Sequence, residues 1–262
     1  MFKKILLLFR FIKYRTHALN AHGIHSPFIF ELFRKTIRSE TEAAIKKTLE
    51  QLRRRMLSDQ RILSATDYGT AGGKSRQRES SVSYIMRHYA SGIRKAELLY
   101  RLSKYFSPAT ILELGTSVGI GTTALALGST TSKVISLEGS AETAEVAVEN
   151  FYSAEINNVE VITGEFGSTL AHALEKISVV DLVFIDGNHR SVPTLSYFEQ
   201  CLAKANENSL FIFDDIHWSA DMEKAWKEIQ LHPSVSITID LFVVGLVFFR
   251  RGIAKQNFIL KF

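Results

Sequence analysis

Two stretches of this 262-residue chain gather acidic and histidine side chains where they could do chemistry together. Asp181-Leu-Val-Phe-Ile-Asp-Gly-Asn-His189 runs apolar up to Asp186 and then offers His189. Phe211-Ile-Phe-Asp-Asp-Ile-His-Trp218 does the same with Asp214, Asp215 and His217. If both runs are neighbouring parallel strands, their C-terminal ends meet at the crevice where open α/β sheets bind ligands. Three carboxylates converging there repel one another unless a cation or a proton intervenes. Hard oxygen ligands of that kind suit Mg²⁺ or Ca²⁺. A blander use competes, because aspartate is a favoured helix N-cap and Asp214 and Asp215 could simply start a helix. His217 reads more readily as structural than catalytic.

A second constellation lies upstream. Ile111-Leu-Glu-Leu-Gly-Thr-Ser-Val-Gly-Ile-Gly-Thr122 passes from an apolar strand through a glycine-rich turn into a helix. Glycines there let the backbone approach a ligand, and the helix start offers free N–H groups. Glu138 closes the next apolar run, where a carboxylate can accept both hydroxyls of a ribose. Glu165, in Thr163-Gly-Glu-Phe166, follows the third run and could face an adenine amino group. A nicotinamide dinucleotide site would show G-x-G-x-x-G and a diphosphate at the helix start. This chain instead has G-x-x-x-G-x-G, with Glu113 two residues before the first glycine. A carboxylate there would repel a diphosphate and suits the cationic amino group of a methionine moiety. A tight turn without a ligand is the plain alternative.

The elements that must position these residues follow from periodicity. Ala109–Leu114, Lys133–Glu138, Val159–Thr163, Val179–Ile185 and Ser209–Asp214 read as short buried parallel strands. Helical stretches separate or follow them at 121–127, 141–153, 168–176, 193–203 and 220–230. That alternation predicts a doubly wound α/β fold with a mostly parallel, seven-stranded sheet. Val235–Leu241 and Gly245–Arg250 have no helix between them, which predicts an antiparallel last strand. Before Pro108 the chain reads as helical at 2–18, 27–37, 41–57 and 93–106, with an irregular stretch from Asp67 to Ser80. Ser26-Pro27 fits a helix start, and His22 and His25 are better explained as structural than as ligands.

Charge divides the chain. Residues 1–107 carry 22 Lys and Arg against 8 acids, and residues 108–262 carry 10 against 19. The expected organisation is therefore a basic, mainly helical extension (1–107) and an α/β domain (108–262). The glycine-rich, cationic segment Asp67–Arg78 suits either a lid over an acidic acceptor or a solvated loop. Phe2–Arg15 mixes apolar residues with Lys3, Lys4, Arg10, Lys13 and Arg15. Burial against the core or a second subunit is its first expectation, and peripheral contact with an anionic membrane is the second. No RNA-binding module or metal knuckle supports nucleic-acid binding. A lone cysteine, Cys201, excludes an internal disulfide and fits a cytoplasmic protein. Arg10 and Lys13 interrupt the apolar start, so neither a signal peptide nor a membrane span is expected.

Glu113-Leu-Gly115 through Gly121, together with Glu138, resembles the first motif and ribose-binding acid of the class I methyltransferases. The segments around Asp186 and Asp214 look like those of the metal-dependent O-methyltransferases of the catechol, caffeoyl-coenzyme A and macrocin types. Asn20–Phe30 and Asp67–Arg78 resemble the N-terminal extension of a bacterial subgroup. The resemblance implies an S-adenosylmethionine site formed by Glu113, Gly115, Thr116, Ser117, Gly119, Gly121, Thr122, Glu138, Gly139, Glu165, Phe166 and Asp186. It also implies a divalent cation such as Mg²⁺ held by Asp186, Asp214 and Asp215, with a small-molecule hydroxyl as acceptor. The catechol type carries a lysine base three residues after the first aspartate; His189 takes that place and can accept a proton near neutral pH. Asp215 stands where plant enzymes carry asparagine. A metal-free methyltransferase and a non-catalytic binding module are the competing readings.

Overall fold

The computed structural model describes residues 2–67 and 76–262. Two compact units emerge, one formed by Met1–Ser39 with Asp181–Phe262 and the other by Glu40–Val180. The first begins with helix α1 (Phe2–His17), a segment free of glycine and proline. Only one of its faces is covered. Tyr14 and Ala18 are buried, the Phe11 ring lies edge-on to Phe242 at 5.0 Å, and the Tyr14 hydroxyl donates to the carbonyl of Leu260. Helix α2 (Pro27–Leu32) starts with Ser26 as N-cap and proline in its first turn, as the sequence suggests, and runs on into a π turn, Phe33–Ile37.

The second unit contains α3 (Ala43–Ser58), β1 (Ile62–Asp67), β2 (Arg76–Ser81), α4 (Val82–His88), α5 (Ile93–Phe106), β3 (Thr110–Leu114), α6 (Ile120–Gly128), β4 (Lys133–Glu138), α7 (Ala141–Ser153), β5 (Val159–Thr163) and α8 (Phe166–Glu175). Strands β3, β4 and β5 pair in parallel with β4 in the middle, so Glu113 registers with Ser136 and Glu138 with Thr163. Strands β1 and β2 pair antiparallel, which corrects the irregular reading at Asp67 and over 76–80. Residues 68–75 of the proposed lid lie outside the described residues. Arg76–Ser81 contains no apolar residue, so its strand state comes from pairing with β1 rather than from an alternating pattern of its own.

In the first unit, β6 (Leu182–Ile185), α9 (Ser191–Leu202), β7 (Leu210–Asp214), α10 (Ala220–Leu231), β8 (Ile237–Asp240), β9 (Val244–Phe248) and β10 (Gln256–Ile259) follow one another. The helical crossover α9 makes β6 and β7 parallel. The short link from β8 to β9, with Phe242 at φ 69°, makes that pair antiparallel, and β9 also pairs antiparallel with β7. The antiparallel expectation thus holds for β9. One strand was not foreseen: β10 pairs in parallel with β8, giving eight strands in the α/β part instead of seven.

Gly119 marks the point where β3 is joined to α6. It caps the helix at φ 90°, and a Cβ there would lie 2.7 Å from the ring of Phe151 and 3.2 Å from Ala147 Cβ. The left-handed backbone and the contact add, so Gly119→Ala should destabilise by about 2–4 kcal/mol. We expect a fall in Tm of roughly 5–12 °C by calorimetry; an unchanged Tm would contradict this account of the turn.

Candidate active site

Within the second unit, the cofactor candidates gather at the C-terminal ends of β3, β4 and β5. The chain leaves β3 with Gly115 at φ 112°, Ser117 at φ 50° and Gly119 at φ 90°. The N–H groups of Gly115 and Thr116 donate to the Leu137 carbonyl at 2.9 and 3.2 Å, and the Asn150 amide donates to the Val118 carbonyl at 3.0 Å. These bonds hold the turn open. Gly121 and Thr122 lie in the first turn of α6.

Glu138 sits at the rim with its carboxylate already oriented. One oxygen accepts the Ser117 N–H at 2.8 Å and the other the Ser140 N–H at 3.0 Å. Burial raises its pKa, and these N–H bonds oppose the rise. The Gly139 N–H also acts on this carboxylate, and of its roughly four lone-pair sites the remainder can accept hydroxyls. Gly139 follows in the same turn. The Gly164 N–H donates to the Glu138 carbonyl at 2.8 Å, which brings the exposed Glu165, N-cap of α8, and the half-buried Phe166 to the neighbouring strand end.

Glu113 lies on β3, below the turn. Its side chain is wholly buried, and one oxygen accepts the hydroxyls of Thr122 and Ser136, both at 2.5 Å. Thr116 is buried too, 2.6 Å from the Ser136 hydroxyl. Thr116, Thr122 and Ser136 therefore brace the turn from below. The other Glu113 oxygen is buried with no hydrogen-bond partner, as a cationic amino group entering from the turn would require.

Burial pushes the Glu113 carboxyl up to about 7 from its ordinary 4.5, against the two hydroxyl bonds, and Glu138 adds to the rise. Folding then takes up a proton between these two values, so stability falls as pH rises from about 4.5 to about 7 and stays lower above. The span corresponds to about 3 kcal/mol. Urea denaturation of the ligand-free protein should show this loss between pH 5 and pH 8. Glu113→Gln, neutral throughout, should flatten the profile; an equally steep profile in the variant would exclude Glu113 as its source.

The first unit assembles the other group. Asp186 follows β6, and its Oδ1 lies 3.9 Å from His189 Nε2. Asp214 ends β7 and is buried. One ligand atom from each of Asp186, His189 and Asp214 lies within 4.8 Å of the others, a separation one metal ion could bridge. Asp215 is not in this cluster. The chain turns left-handed there (φ 51°), and its N–H donates to the Val243 carbonyl. Neither aspartate caps the next helix, because Ser219 takes that position and accepts the Met222 N–H. Asn188, also at positive φ, receives Arg190 Nε at 2.9 Å and donates to the Tyr197 hydroxyl, which shapes the loop that carries His189.

His217 is bound on both sides, to Glu223 at 2.9 Å and to Asp240 at 2.8 Å, and stacks on Phe242. Burial favours its neutral form, but the two carboxylates outweigh this and raise its pKa. With both ring nitrogens engaged, it reads as a structural residue. Sequence reasoning missed Ser136, Ser140, Asn150 and Asp221, whose carboxylate accepts both the N–H and the hydroxyl of Ser191 at the start of α9. The partners of Ser136, Asn150 and Asp221 are distant in sequence, so no local signal marked them, whereas Ser140 caps α7 and accepts the Thr143 N–H, a local signal that could have found it.

Residues 112–216 match the family model described as a methyltransferase domain. No curated protein matches the chain. Among solved structures, it is similar to the O-methyltransferase from Bacillus cereus in complex with SAH, at 21% identity and TM-score 0.56, covering 81% of this chain and 93% of that one. The SAH-bound methyltransferase PaMTH1 of Podospora anserina shares 16% identity at TM-score 0.59, with 82% and 91% covered. TomG, an O-methyltransferase from Streptomyces achromogenes involved in tomaymycin synthesis and solved with SAM, shares 17% at TM-score 0.56, with 85% and 95% covered. The chain thus contains a stretch that matches a methyltransferase domain and has the Rossmann-like α/β fold of these solved structures. Its eight-stranded version of that fold carries the acidic and glycine-rich positions described above.

Proposed function

We propose that this protein transfers a methyl group from S-adenosylmethionine to a hydroxyl oxygen of a small molecule, with a divalent cation bound at the acceptor. The observation that carries the cofactor assignment is Glu138, held bidentate by two backbone N–H groups at a strand end beside the glycine-rich turn. Glu138 would accept the ribose hydroxyls, Glu165 and Phe166 would meet the adenine, and the unpartnered oxygen of Glu113 would face the methionine amino group. S-adenosylmethionine supplies a methyl group already activated as a sulfonium.

Asp186 and Asp214 suit a divalent ion by donor chemistry, being hard oxygens on two adjacent strand ends. Such an ion lowers the pKa of a hydroxyl that binds it. His189 would take the proton of the acceptor hydroxyl, and bound S-adenosylmethionine would supply the methyl group, leaving as S-adenosylhomocysteine. The cluster geometry also favours a second reading, in which His189 is the third ligand. Mg²⁺ and Mn²⁺ separate the two, because an imidazole ligand favours Mn²⁺ over Mg²⁺ and a base outside the coordination shell does not.

Calorimetric titration with S-adenosylhomocysteine, then with Mg²⁺, tests the proposal. Heat in both steps supports it. Heat in the first step alone leaves a metal-free methyltransferase, and silence in both removes the cofactor assignment.

A further inference from the structure

Helix α1 carries more apolar surface than the protein covers. On a helical projection Leu7, Phe11, Tyr14 and Ala18 share one face, and these include the residues packed on Phe242 and the C-terminal chain. Ile5, Leu8, Phe9 and Ile12 occupy a stripe on the far side. They are 43%, 56%, 68% and 50% exposed, unusual for four large apolar residues on one helix. Arg15 borders the stripe on one edge and Lys13 on the other, both exposed. No acidic residue occurs anywhere in α1.

The inner face is fastened firmly enough to present the outer one. Arg10 pairs with Glu223 at 3.1 Å and donates to the carbonyl of His217, while Phe262 N–H donates to the Tyr14 hydroxyl. The segment after the helix adds a strand-like bridge between Leu19 and Leu260.

We infer that α1 is a docking helix for an anionic lipid surface, lying in the membrane plane with Ile5, Leu8, Phe9 and Ile12 inserted and Lys13 and Arg15 at the headgroups. An apolar stripe edged by cations is the pattern that binds such surfaces. Charge decides against a second copy of the chain, because two α1 helices facing each other would bring cations together without one acid to offset them. The helix is too short to span a bilayer, and none of the described helices is long and apolar enough to cross a membrane.

Flotation of the full chain with vesicles tests this. Vesicles with about a third phosphatidylserine should carry the protein up the gradient, and pure phosphatidylcholine vesicles should not. Phe9→Asp should lower the bound fraction at least tenfold, since it removes inserted area and adds a repelled charge. The double variant Lys13→Glu/Arg15→Glu, which leaves the apolar stripe intact, should lower it by roughly ten- to thirtyfold. Far-ultraviolet dichroism and Tm verify that both variants fold. No flotation of the wild type, or flotation unchanged by either variant, overturns the inference. A wild-type dimer in sedimentation that Phe9→Asp dissociates, without vesicle binding, makes the face a subunit interface and overturns it as well.

Discussion

Glu138→Ala should weaken S-adenosylhomocysteine binding by roughly 100- to 10,000-fold. Two hydroxyls donating to one carboxylate are charge-assisted hydrogen bonds, each worth about 1.5–3 kcal/mol, and each 1.4 kcal/mol is a factor of ten. The substitution also strips the Ser117 and Ser140 N–H groups of their acceptor. Some of the loss would then come through the turn, whose left-handed residues depend on such bonds. Calorimetric Kd and Tm, measured on the same sample, separate the two contributions. A fall in Tm of a few degrees with a hundredfold weaker Kd is the expected pair. A Kd within threefold of wild type, in a folded variant, would remove the ribose role. Glu138→Gln keeps the shape and loses the charge, so its Kd should fall between the two.

Asp214→Asn should abolish the dependence of methyl transfer on Mg²⁺ and lower kcat by about 10²–10⁴-fold. The magnitude follows from the several kcal/mol that a divalent ion contributes by stabilising charge on the acceptor oxygen. Asparagine is the informative choice because Asp214 is buried, and a smaller residue would leave a cavity as well as remove a ligand. Asp186→Asn should act in the same direction. Asp215→Asn should matter much less, since its side chain is outside the Asp186–His189–Asp214 cluster. Activity assayed with Mg²⁺ in excess and again after chelation decides the matter. Full activity of Asp214→Asn, insensitive to chelation, would mean that the aspartates serve the fold and that the acceptor is deprotonated without an ion.

Arg10 links this region to α1. Its partner Glu223 also binds His217, and His217 binds Asp240 at the end of β8. The N-terminal helix is therefore tied to the loop after Asp214 through charged groups rather than by apolar packing alone. That arrangement explains how a helix with one covered face can stay docked.

Much of the α/β framework was legible in the residues themselves. The bounds of β4, β5 and α7 coincide with those read from apolar runs and turn residues. Strand ends are marked locally, because buried parallel strands are short apolar blocks bounded by polar turns. The acids and glycines at those ends were legible for the same reason. What needed the tertiary structure was everything set by partners far along the chain. Strand β2 has no apolar residue and β10 is a four-residue edge, and both exist because a neighbouring strand offers hydrogen bonds. Glu113 could be placed on a buried strand, yet the hydroxyls that hold its carboxylate come from α6 and β4. Adjacent aspartates looked equivalent until the left-handed backbone at Asp215 separated them. His217 is held by Glu223, six residues away in sequence, and by Asp240, twenty-three away. Periodicity reports which faces are apolar; only the folded chain decides which polar groups those faces bring together and remove from water.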